Sequence, residues 1–216
     1  GFYIKGIHGQ NVLCGGLGMI TAVVGRGNRF KSTILHYMML SAAARIFSTY
    51  QTSMSTFDTE INIHESALER FIDAFPELRD LNVIQEGIWN ITDKTMYHGN
   101  QWYEAVKDFT KLKKDNAKDI MVSTPFFDRD QTSVLKVLAP TFNEVDSFSE
   151  FETEDVAKMQ EENELGDSGA NTMHMRQGLA KTRFLMEAPA LFNGHNHFLL
   201  LTAHMDDAIE VSAGPY

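Results

Sequence analysis

The most restrictive feature of this chain is an apolar run, residues 19–24, followed by Gly25-Arg26-Gly27-Asn28-Arg29-Phe30-Lys31-Ser32-Thr33 and then an apolar-rich stretch over residues 32–49. A short β-branched run, a glycine-containing loop and a helix-length segment in that order make one strand-loop-helix unit. The spacing of Gly25, Lys31 and Ser32 is that of a phosphate-binding loop. Backbone N–H groups at the helix start cradle phosphate there, the Lys31 ammonium reaches the outer phosphates, and the Ser32 hydroxyl holds Mg2+. Phe30 stands where the second glycine of such a loop is usual. A phenylalanine is expected to require a loop that avoids positive φ at that point.

The rest of the chain repeats the strand and helix alternation. Residues 54–57 and 82–85 read as further strands, and residues 66–75 as a helix stopped by Pro76. Residues 100–114 read as an amphipathic helix with Trp102, Val106 and Phe109 on one face. Residues 140–145 run as a strand into Asp146-Ser147, residues 173–187 are helical, and residues 197–202 form the most continuous apolar run. Such alternation predicts an α/β fold with a mostly parallel sheet flanked by helices. Residues 120–138 break the rhythm: two apolar segments around Asp128-Arg129-Asp130 predict an inserted β-hairpin. Residues 150–172 begin acidic and poor in apolar side chains, and are expected to be a DNA-loop segment that is mobile or ordered by a partner.

With 216 residues the chain suits one domain, residues 1–216. A net charge of -10 argues against a protein that coats duplex DNA by positive charge alone. The single cysteine, Cys14, excludes an internal disulfide and fits the cytoplasm. No apolar run is long enough for a membrane span, so no membrane partner is expected. Gly1 and the closing Gly214-Pro215-Tyr216 suggest an internal piece of a longer chain.

The Phe-Lys-Ser of the phosphate loop resembles the RecA/UvsX recombinases, the phage UvsX-type branch above all. Phe57-Asp58-Thr59-Glu60 is similar to the segment where that family places its water-activating glutamate, and Phe142-Asn143-Glu144-Val145-Asp146-Ser147 to its Walker B strand. Residues 148–155 continue it as in the phage branch, and Met175-Arg176-Gln177-Gly178-Leu179-Ala180-Lys181 resembles the helix after the first DNA-binding loop. Thr202-Ala203-His204 resembles the end of the sensor strand. Asn143 and Glu144 make the Walker B strand less apolar than usual, and the hairpin has no counterpart in the bacterial members.

The resemblance implies a RecA-type P-loop ATPase core, with ATP and Mg2+ as cofactors and single-stranded DNA as partner. It further implies self-association into a filament or ring, mediator and single-strand-binding proteins, and host cytoplasm if phage-encoded. Lys31 and Glu60 are then the catalytic pair, with Glu60 just beyond a strand end, where open α/β sheets bind ligands. Ser32 and Asp146 hold the metal. Glu144 shares a strand face with Asp146 and is its rival. His204 ends the last apolar run and is the candidate sensor of the γ-phosphate. Arg176, Lys181 and Arg183 form a basic cluster suited to DNA phosphates. His195, His197 and His204 sit at opposite ends of a strand, which argues against a shared metal. Two other readings share the same core: a DnaB-type hexameric helicase and a nucleotide-binding regulatory module without turnover.

Overall fold

A computed structural model describes residues 3–5, 11–13, 19–27, 29–47, 52–127, 130, 132–162 and 170–205. Strands β1 (Tyr3–Lys5) and β2 (Asn11–Leu13) form an antiparallel pair ahead of the main sheet. Then follow β3 (Ile20–Gly25), α1 (Lys31–Phe47), β4 (Ser53–Asp58), α2 (Glu65–Asp73), α3 (Pro76–Arg79), β5 (Trp89–Asp93) and α4 (Gly99–Asp115). A short α5 (Ala117–Ile120) leads into β6 (Met121–Phe127) and β7 (Val134–Leu138). The chain closes through β8 (Thr141–Asp146), a 3-10 turn at Phe148–Glu150, α6 (Glu154–Glu162), α7 (Ala170–Asn193) and β9 (His197–His204). Among the described residues no helix is long and apolar enough to cross a membrane.

Strands β3, β9, β8, β4 and β5 lie in that order in one sheet, and every neighbouring pair is parallel. Parallel neighbours need crossover helices, so the sheet is covered on both faces. Alternation along each strand divides the side chains. Met54, Phe142 and Leu200 join Leu35, Met39 and Leu40 of α1 on one side, together with Leu68 and Leu78. Phe57, Val145, Leu199 and Leu201 join Trp102, Val106, Phe184 and Phe192 of α4 and α7 on the other. Continuous apolar runs such as residues 199–201 follow from burial on both faces.

The predicted hairpin is present as antiparallel β6 and β7, with a register break between Ser123 and Phe127. Its neck is closed by the Ala139 N–H donating to Ile120 O at 2.9 Å. Residues 82–85, expected as a strand, are instead a run of turns. Asn82 takes φ +45°, Val83 is buried in the core under α1, and its carbonyl accepts the Trp89 N–H at 2.7 Å, folding the segment back on itself. The strand begins at Trp89, whose indole donates to Thr56 Oγ1 at 2.8 Å.

The acidic segment also differs from expectation over residues 150–162. Phe151 and Val156 are each about 1% exposed, and this burial holds the 3-10 turn and α6 against α4 and α7. Residues 163–169 lie outside the described residues. On α4 the buried face is Trp102, Tyr103, Val106, Thr110 and Lys113, while Phe109 stands at its rim, half-exposed.

Candidate nucleotide site

Four adjacent parallel strands present their carboxyl ends together. The β3 end opens into the loop before α1, β9 ends at His204, β8 at Asp146 and β4 at Asp58, with Glu60 two residues beyond. Ligands bind at this edge of an open α/β sheet because the strand-to-helix loops and helix N-termini converge there. A cavity of about 440 Å3 lies at the edge, lined by Gly27, Arg29, Phe30, Lys31, Ser32, Thr33, Glu60, Asn62, Asp146 and His204. Gly25 and Arg26 are not among the residues that line it, and Asn28 lies outside the described residues.

Phe30 departs from expectation: the loop does not avoid the left-handed region but holds Phe30 in it, at φ +57°. Its ring is 76% exposed, so no burial compensates the backbone conformation. The Phe30 carbonyl accepts the Ile34 N–H at 2.9 Å, so the loop feeds directly into the first turn of α1.

Lys31 opens α1 and is buried. Its Nζ donates to Arg26 O at 3.0 Å and lies 3.4 Å from His204 Nδ1. An ammonium has no lone pair, so Nδ1 must be the bare acceptor and the ring's proton sits on Nε2. That Nε2 stands 2.8 Å from Glu60 Oε1 and donates to it. A neutral His204 thus bridges a cation and an anion. Burial alone would push the Glu60 carboxyl up, but the hydrogen bond from His204 and the charge of Lys31 hold it below the usual glutamate range.

Asp58 and Thr59, named in the sequence only as part of the motif ending at Glu60, build the loop that carries it. Asp58 accepts the backbone N–H groups of Glu60, Asn62 and Ile63 at 3.0, 2.8 and 2.8 Å. This Asx-type turn is signalled by an aspartate at a strand end. Thr59 Oγ1 donates to Ser147 O at 2.7 Å and accepts the Ser147 N–H, tying the ends of β4 and β8 together. Ser149 is the other unforeseen link: its Oγ accepts the His204 N–H at 2.8 Å, and its carbonyl accepts Lys181 Nζ from α7.

Asp146 and Glu144 do share a face, but only Asp146 reaches the cavity. Thr202 Oγ1 donates to Asp146 Oδ1, while Oδ2 is buried without a hydrogen-bond partner. An unpartnered buried carboxylate oxygen at a cavity wall, with the Ser32 hydroxyl also lining it, suits a hard divalent cation such as Mg2+. Behind it His36 Nδ1, Glu144 and Asp146 have ligating atoms within 4.8 Å of one another. His36 Nδ1 and Glu144 Oε1 are only 2.5 Å apart. An ion bonded to both at ~2.1 Å would be squeezed to an angle of roughly 73°, well below tetrahedral or octahedral values. The contact is therefore a direct one between the two side chains; burial lowers the His36 pKa, but Glu144, with Asp146 and Asp58 nearby, raises it on balance.

The remaining predicted residues separate. His197 is wholly buried at the far end of β9, between Asn143 and Thr110, well away from His204. Arg176 and Arg183 face a cleft of about 550 Å3 between α4, α6 and α7 that also holds Lys107, Glu104, Asp155 and Glu187. Its charges balance, and Arg183 pairs with Glu187 at 2.7 Å. Lys181 lies on another side of α7, half-buried against Ser149, and burial lowers its pKa. No model of a known protein family matches the chain, and no curated protein matches it.

Proposed function

We propose that the chain is the ATPase core of a RecA/UvsX-type recombinase, which binds ATP with Mg2+ at the carboxyl edge of its sheet, hydrolyses it, and uses nucleotide state to control its hold on single-stranded DNA. The observation that carries this reading is the meeting of Lys31, Ser32, Glu60, Asp146 and His204 in one cavity, although they come from segments far apart in the chain. Phosphoryl transfer to water asks little covalent work of a protein; it needs positioned phosphates, a cation and an oriented nucleophile.

The loop N–H groups and Lys31 bind the phosphates, with Lys31 Nζ exchanging Arg26 O and His204 Nδ1 for phosphate oxygens. Ser32 and Asp146 hold Mg2+, which when bound neutralises charge developing on the β- and γ-phosphate oxygens. Glu60, ionised at neutral pH, orients water and takes its proton. His204 is the switch: a γ-phosphate that engages it releases Glu60 Oε1 for water. Because the His204 N–H rests on Ser149, which also receives Lys181, the same movement has a physical route to α7 and its basic residues. That route is the support for the DNA half of the reading.

Phosphate release measured with and without single-stranded DNA tests both halves. Lys31→Ala is expected to abolish turnover, and Glu60→Gln to bind ATP while slowing hydrolysis by about 100-fold or more. Normal turnover by Lys31→Ala defeats the ATPase reading. Hydrolysis indifferent to DNA defeats the recombinase reading, and unwinding without strand pairing replaces it with a helicase.

A further inference from the structure

The buried pair behind the cavity has no place in the chemistry above. His36 lies one helical turn after Ser32 on α1, and Glu144 lies two residues before Asp146 on β8. Four residues of helix rise ~6 Å and two residues of strand ~6.6 Å, so these positions on α1 and β8 stand as two rungs of nearly equal spacing. The outer rung is Ser32 with Asp146, both at the cavity wall. The inner rung is His36 with Glu144, in contact at 2.5 Å.

The inner rung is fixed from every side. The His36 ring packs edge-on against Phe71 at 5.5 Å and Trp89 at 6.2 Å between centroids. Glu144 is wholly buried and its Oε2 accepts Thr56 Oγ1 at 3.1 Å, while Thr56 Oγ1 in turn accepts the Trp89 indole. A chain of polar contacts therefore runs from β5 through β4 and β8 to α1.

Resting on the Mg2+ reading of Ser32 and Asp146, we propose that His36 and Glu144 are positioning residues that set the register of α1 on β8 and so the placement of the metal-holding pair. Neither touches nucleotide. Their effect falls on the cation and not on the phosphate loop, whose N–H groups and Lys31 act independently of β8.

The test uses His36→Leu/Glu144→Met, an apolar replacement of similar volume that leaves no buried charge unpaired, beside Glu144→Gln, which keeps an acceptor for Thr56. Mn2+ affinity in the presence of ADP is read by electron paramagnetic resonance, nucleotide affinity in EDTA by a fluorescent analogue, and folding by thermal denaturation of the full chain. The double variant is expected to fold and to bind nucleotide in EDTA as before, yet to lose about 10-fold or more in Mn2+ affinity, with Glu144→Gln intermediate. Unchanged Mn2+ affinity in the folded double variant overturns the proposal and leaves the pair a packing feature. Nucleotide binding without Mn2+ binding by the unaltered chain overturns it as well. If the unaltered chain binds neither, the nucleotide reading falls with it.

Discussion

At the residue scale, one buried histidine and one left-handed phenylalanine make measurable predictions. His197 Nδ1 accepts from Asn143 Nδ2 at 3.0 Å, and its Nε2 lies 3.3 Å from Thr110 Oγ1, whose own proton goes to Val106 O. The ring is therefore neutral, with its proton on Nε2. Burial, then the charge of Lys113 and the neighbouring His195, push its pKa from 6.5 down to about 3. Between those values the unfolded chain binds a proton that the folded chain refuses, so this contribution is complete above 6.5 and is lost as pH falls towards 3. Urea denaturation at descending pH should show a slope approaching ~1.4 kcal/mol per pH unit below pH 6 that His197→Gln flattens; an unchanged slope refutes the assignment. Phe30→Gly relieves roughly 1 to 2 kcal/mol of left-handed strain and gives back ~0.5 to 1 in glycine entropy, for a small net gain in stability. A lower urea midpoint would contradict that. Lys31 was named from the phosphate-loop spacing, and Glu60, Asp146 and His204 from the resemblance; the structure brings the four to one cavity. Thr59, Ser149 and His36 were not legible as site residues, since their partners are distant in the chain, Ser147 being 88 residues from Thr59.

At the scale of elements, α4 shows how a single missing side chain sets an interface. A Cβ on Gly99 would come within 2.6 Å of Phe151 Cζ and 2.8 Å of Glu152 O, and the Gly99 N–H already donates to that oxygen at 2.7 Å. Gly99→Ala should push the 151–153 segment off α4 and cost about 1 to 3 kcal/mol, read as a drop in thermal midpoint; a midpoint equal to the parent's would show that the segment yields freely. Periodicity revealed most elements because burial on one or both faces imposes it. It failed at residues 82–85, where Val83 is as buried as a strand residue but serves as a plug at the end of a turn. It failed again at residues 154–162, whose acidic composition conceals one buried anchor, Val156. A helix with one fully buried apolar residue leaves little pattern to read.

At the scale of the whole molecule, the sheet fixes the site while the hairpin stands apart from both. β6 and β7 make their main contacts with each other, and Phe126 and Phe127 are 68% and 60% exposed. Replacing residues 121–138 by a short glycine linker should therefore leave thermal stability and ATP binding close to those of the parent, with circular dichroism and a nucleotide titration as the checks. A collapse of the fold would show that the hairpin supports the core. The neck decides what such an exchange means. Ile120 and Ala139 already meet through one hydrogen bond at 2.9 Å, and the neck is tied to the core at Leu138 O, which accepts Asn196 Nδ2 at 2.7 Å. It is a joint at which the same α/β core can exchange attachments, so that a reporter or a new recognition element grafted there would travel with the molecule.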